Sequence, residues 1–276
     1  MASRLRALAL STHPGPGLAV TVVAVLLGVG LQLDPWRIVL LGLAVLANQL
    51  SVGLSNDWLD AERDRAVGRT DKPVALGLVS TRLARASAIT TAVLALVLTL
   101  PLGLLATLAH GVFLGSAWAY NAGLKNTPIS VLPYCVGFGA LPSVATLSLP
   151  EPEFAAPWAF GLGAMLGIAA HFANVLPDLD DDARTGIAGL PHRIGRRASG
   201  IVIWAALVLG ALFAFAGPEG ARTPLQWVGL ALTLLLAAAI AVVLRRPPTR
   251  LLFQLIIAAA LVNVVLLVFS GQRLLA

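Results

Sequence analysis

The chain is short of almost everything a soluble enzyme displays. Only 12% of its 276 residues are charged, and it holds two tyrosines, two methionines and one cysteine. A lone cysteine, Cys135, rules out an internal disulfide, and its apolar surroundings argue against thiol redox chemistry. So little charge leaves no apolar stretch a continuous polar face for water, which argues against a soluble helical bundle. Lys and Arg number 19 against 13 Asp and Glu, a formal net charge of +6. The basic residues lie scattered in short gaps and form no patch, so no nucleic-acid partner is expected. No small-residue cleavage site follows the first apolar stretch, and no removable signal peptide is expected.

What remains is apolar. Hydrophobic residues make up 58% of the chain and the mean hydropathy is +0.88, which points to an all-α polytopic membrane protein. Apolar windows near 15–33, 38–58, 83–100, 102–120, 129–147, 157–177, 199–216, 224–243 and 252–270 predict nine transmembrane helices. With the N-terminus inside, 16 of the 19 basic residues fall on the inner side, leaving Arg37, Arg222 and Arg273 outside. The expectation is one transmembrane domain over 1–276, with inner cap connections near 59–82, 120–128 and 178–198. It would sit in a prokaryotic cell membrane with its site facing the cytoplasm.

Two acidic runs interrupt the grease. "NDWLDAERD", from Asn56 to Asp64, ends the second apolar span, and "NVLPDLDDD", from Asn174 to Asp182, ends the sixth. Residues four apart share one helix face, so Asn56, Asp60 and Asp64 form one ladder and Asn174, Asp178 and Asp182 a second. Pro177 would kink the second. Like charges at that spacing repel, and a countercharge is expected. Mg²⁺ suits oxygen ligands and commonly joins carboxylates to substrate phosphates. Held by both ladders, it would neutralise charge gathering on a departing diphosphate. Arg63, Arg69, Lys72, Lys125, Arg184 and Arg193 are candidates to complete the cradle, and the apolar tail of the substrate would lie among the helices beside membrane lipid. Asp57, Asp180 and Asp181, off the ladders, read as solvated loop residues.

These runs resemble the signature of the UbiA superfamily of intramembrane prenyltransferases. The first matches the family's Asn-Asp-x-x-Asp-x-x-x-Asp run at Asn56, Asp57, Asp60 and Asp64, and the second its later aspartate-rich run at Asp178 and Asp182, preceded by Asn174. "YNAGLKNTP", Tyr120 to Pro128, resembles the family's tyrosine–lysine connection, which implies Tyr120 and Lys125 near the diphosphate. The resemblance implies a UbiA-like bundle and Mg²⁺-dependent ionisation of an isoprenyl diphosphate, with an aromatic or lipid acceptor attacking the allylic cation. The catalytic and metal-binding residues it implies are those of the two ladders. "RAVGRTDKPVALG" lacks the tight basic pair beside proline found in many members with aromatic acceptors. "DDARTGIAGLPHRIG" also departs from the family's form, and a terpene cyclase working without acceptor stays open.

Other residues have two readings. His171, one turn before Asn174, faces a cavity and helps an acceptor lose its proton, or satisfies a buried hydrogen bond. His192 reads as a surface residue. Trp58, Trp118 and Trp158 are candidates to stabilise a cation through their ring faces, while Trp158 and Trp227 also read as interfacial anchors. A transporter would instead place its acids near the bilayer midplane.

Overall fold

Proline opens most of the long helices, in the first turn where its missing N–H has no intrahelical partner to lose. The computed structural model describes residues 2–176, 179, 188–243 and 250–276. Two helices near the N-terminus are α1 (Ala2–Leu10) and α2 (Pro14–Gly30). They are followed by α3 (Pro35–Leu59), the short α4 (Ala61–Ala66), α5 (Thr81–Thr99) and α6 (Leu104–Ala122). The remainder comprises α7 (Leu132–Thr146), α8 (Pro157–Val175), α9 (Leu190–Ala216), α10 (Pro224–Val243) and α11 (Arg250–Val268). The fold is all-α, and α9 bends at Gly195, whose φ of 79° breaks the helical backbone.

Nine membrane-spanning helices are not what the structure contains. Among the described residues, five helices are long and apolar enough to cross a bilayer: Pro35–Leu59, Thr81–Leu102, Pro157–Val175, Leu190–Ala216 and Pro224–Val243. Composition made the other stretches look like spans, but two of them form helices too short to cross. His13 and Gln32, both at positive φ, bracket α2 at 17 residues, and Val131 and Leu147 cap α7 at 15. At 1.5 Å per residue such helices run about 22–25 Å, against about 30 Å of hydrocarbon. α6 carries His110, Tyr120 and Asn121 and is too polar to count. The protein is nonetheless an integral membrane protein, with large apolar side chains such as Leu104, Val228 and Leu235 pointing outward.

Helix α8 packs between α7 and α9, while α3 packs on α5 and α2. Lipid gives helices no hydrophobic reason to associate, so close packing must hold them together. Gly163 and Gly167 supply it: a Cβ on either would drive into the carbonyl oxygen of Phe138 or Tyr134 on α7. A polar lock ties α3, α5 and α6, where buried His110 bonds Thr99 Oγ1 at 2.7 Å through Nδ1 and Asn48 Nδ2 at 3.0 Å through Nε2. At one end of the bundle, Ala156 N–H donates to the Leu274 carbonyl and Gln272 donates to the Leu31 carbonyl. At the other end α1 lies on the 61–84 segment through Ala7, Ala61, Val74, Val79 and Ala84.

Candidate active site

The first acidic run straddles a helix boundary. Asp60 ends α3 and begins α4, yet its backbone stays near helical at φ −89°, ψ −4°. Asp60 N–H still bonds the Asn56 carbonyl at 3.0 Å, and Asp64 N–H bonds the Asp60 carbonyl at 2.8 Å. The four-residue spacing therefore survives the boundary, and Asn56, Asp60 and Asp64 stand together on the wall of a cavity of about 500 Å³.

Every carboxylate there has a cation beside it. Arg63 reaches Asp60 at 3.1 Å and Asp64 at 3.2 Å, and the Lys125 ammonium donates to Asp60 Oδ1. Burial pulls the Lys125 ammonium below the usual lysine range, with Asp60 opposing the shift. Lys72 donates to Asn56 Oδ1 at 2.9 Å and to Asp57 Oδ1 at 2.6 Å. Arg69 grips Asp71 with two bonds of 2.8 Å, and this pairing holds the Asp71 carboxyl down at about 2. Asn121 on α6 braces Asn56 at 3.4 Å while donating to the Val52 carbonyl and Ser55 Oγ of α3.

The far wall is aromatic. Phe113, Tyr120, Tyr134 and Phe138 line the cavity with His171. Tyr134 lies 5.0 Å from both Tyr120 and His171, ring centre to ring centre, and hydrogen-bonds Asn174. The cavity thus joins a charged mouth to an apolar interior.

Could the mouth hold a divalent cation? Its donors are amide and carboxylate oxygens, the set Mg²⁺ prefers. Asp64 Oδ2 is buried and has no hydrogen-bond partner, which suits a ligand oxygen. The residues fit the ion. Among the described residues no three His, Cys, Asp or Glu side chains gather as a ready-made site, so the first ladder alone is an incomplete ligand set.

The structure brings Asn56, Asp60, Asp64, Arg63, Arg69, Lys72, Tyr120, Lys125, His171 and Asn174 to one cavity. Asp178, Asp182 and Arg184 lie outside the described residues, as do Asp180 and Asp181. Arg193 is exposed, bonds the Ala188 carbonyl at 2.8 Å and is not on the wall. Asp57 is no solvated loop residue: it is 1% exposed and paired with Lys72. His192 is half-buried and lines the cavity. Neither Trp58 nor Trp118 reaches the wall; they meet edge to face, with Arg85 stacked over Trp58. Trp158 is buried in the core and anchors nothing at an interface, whereas Trp227 is exposed. The sequence reading missed His13, Asn121 and Tyr134. Asn121 sits beside Tyr120 at a helix end, which was a usable signal, but nothing local to His13 foretells a partner 44 residues away.

The description of the UbiA prenyltransferase family matches residues 17–253. The chain belongs to that family. This UbiA-family chain is 29% identical over 187 residues to a 4-hydroxybenzoate octaprenyltransferase of Azoarcus sp. (strain BH72), covering 66% of this chain and 64% of that protein. It is 30% identical over 175 residues to a digeranylgeranylglyceryl phosphate synthase of Natronomonas pharaonis, covering 59% and 62% respectively. The match thus spans a little under two thirds of these relatives' own lengths. Among solved structures, a UbiA homolog from Archaeoglobus fulgidus bound to GPP and Mg²⁺ superposes with a TM-score of 0.71 at 17% identity, over 97% of this chain and 98% of that one. The apo UbiA homolog from Aeropyrum pernix K1 gives 0.72 at 19%, over 90% and 96%. At these identities the likeness is one of fold.

Proposed function

We propose that this UbiA-family chain is a Mg²⁺-dependent prenyltransferase, moving an isoprenyl group from an isoprenyl diphosphate to a small aromatic or lipid acceptor. The observation that carries the reading is the Asn56–Asp60–Asp64 ladder, interleaved with cations, at the mouth of a cavity whose interior is aromatic. The Azoarcus and Natronomonas relatives are named for adding prenyl groups to an aromatic and to a lipid acceptor, and both names support transfer.

Asn56, Asp60 and Asp64 would hold the ion together with Asn174, Asp178 and Asp182. Bound Mg²⁺ supplies positive charge against the leaving diphosphate. The protein's own cations do the rest. Arg63, Lys72 and Lys125 already stand at the carboxylates, and each can turn a donor to a phosphate oxygen as the carboxylates take new partners. Phe113, Tyr134 and Phe138 exclude water from the carbon end, which protects a cationic centre from hydrolysis. Tyr120 stands where polar mouth and apolar interior meet, on both the cavity wall and the aromatic cluster. The same reading keeps the chain as one domain, capped near 59–82, 120–128 and 178–198, with the mouth facing the cytoplasm of a prokaryotic cell.

The test is incubation of the purified protein in lipid with isoprenyl diphosphates of increasing length, Mg²⁺, and a panel of aromatic and lipid acceptors. Acceptor-dependent diphosphate release and a prenylated product are expected, and Asp60→Asn should reduce release by about a hundredfold or more. Unchanged release in Asp60→Asn would sink the site. A cyclised product formed without acceptor would replace the transferase with a cyclase.

A further inference from the structure

We propose that Asp57 and His13 are positioning residues: Asp57 from behind the cavity wall and His13 on it hold the Lys72 ammonium in place for the diphosphate. The inference rests on the function proposed above. It begins with an ionised group in an unusual place. Asp57 is adjacent to the ladder but off its face, is 1% exposed, and is absent from the wall that Asn56, Lys72 and His13 share. A carboxylate buried there cannot touch substrate. A buried charge requires a partner, and this one has two.

Both partners converge on one oxygen. Asp57 Oδ1 lies 2.6 Å from Lys72 Nζ and 2.9 Å from His13 Nε2, and the two nitrogens are 3.2 Å apart. With its proton on Nε2 the imidazole donates to Asp57, and with the proton on Nδ1 it accepts from Lys72; in both tautomers it holds the ammonium and the carboxylate together. In the first tautomer Lys72 commits two N–H groups, to Asn56 Oδ1 and Asp57 Oδ1, and keeps the third for a ligand in the cavity that it lines. Lysine has a long stem with much rotamer freedom, and fixing it before the ligand arrives removes part of the entropic cost of binding.

The His13 half of the clamp is built in as carefully as the Asp57 half. His13 sits between α1 and α2 at φ 51°, in the left-handed region. The preceding residue presses on α3, where a side chain on Gly53 would collide with the Thr12 carbonyl. The N-terminal segment is thereby seated against α3 and completes the mouth from a distant part of the chain.

The test is a double-mutant cycle in the full-length protein, read by the affinity for geranyl thiolodiphosphate, an unreactive substrate analogue, in the presence of Mg²⁺. His13→Ala should raise the Kd about three- to tenfold and raise KM for the isoprenyl diphosphate in step, with kcat within about twofold of wild type. His13→Gln, which keeps an N–H donor, should recover most of the affinity. In a Lys72→Ala background, His13→Ala should cost nothing more. Equal losses in both backgrounds would mean a merely structural role and overturn the inference, as would an unchanged Kd in His13→Ala. If His13→Ala lowers the melting temperature, the cycle run below it still separates the two cases. Wild type that neither binds the analogue nor releases diphosphate would overturn the proposed function itself, whereas tight wild-type binding indifferent to His13 would overturn only the clamp.

Discussion

Asp71 and Arg69 form the best-aligned ion pair of the site, two parallel bonds of 2.8 Å between a guanidinium and a carboxylate. Holding the carboxyl near 2 in the folded protein, against an ordinary 3.8, makes its contribution to stability complete above 3.8 and lost as pH falls through about 2. The carboxylate is 61% exposed, so the contribution is small. Asp71→Asn should lower the melting temperature slightly at neutral pH, and its gap from wild type should close as the pH is lowered through that window. A gap that persists at the acid end would mean the pair does not form. Residues also mark how far the sequence could be read. Asn56, Asp60 and Asp64 were legible because a four-residue spacing survives folding wherever the backbone stays helical. Asp57 was misread because its one-residue offset says that it leaves the ladder's face but not whether it meets water or a lysine 15 positions on.

At the scale of elements, α7 and α8 decide the shape of the aromatic wall. They approach so closely at Gly167 that a methyl group there has no place except where the Tyr134 carbonyl already is. Gly167→Ala should therefore force the helices apart and destabilise the protein by about 1–3 kcal/mol, measurable by thermal unfolding in detergent. The proposed prenyl transfer should fall with it, because Tyr134 and His171 face each other across this contact. Full stability in the variant would show that α7 has slack. Helix α9 begins nine residues before the expected 199, whereas most helix positions were readable from apolar windows to within a few residues. Their capacity to cross a membrane was not, because a run of apolar residues fixes composition, while prolines and positive-φ residues such as His13 and Gln32 fix length.

Across the whole molecule, among the described residues, large apolar side chains such as Leu104, Val228 and Leu235 face outward, as hydrocarbon surroundings allow. In a Cys135→Ser background, cysteines placed at exposed Val67 and Glu153 should report opposite sides of the membrane. A cell-impermeant maleimide should label Glu153→Cys in intact cells and Val67→Cys only after permeabilisation. The reverse pattern would invert the proposed orientation.

One contact at this scale bears on time. Gln272 bonds the Leu31 carbonyl across 241 residues, where α11 also packs on α2, and α2 forms one side of the cavity. A contact of such sequence separation closes late, since its loop entropy must be met before it yields anything. During synthesis the ribosome releases α2 long before α11 exists. The cavity wall that α2 provides therefore rests on α3 early in synthesis, while the bond that fastens its Leu31 end forms only after translation has passed Gln272.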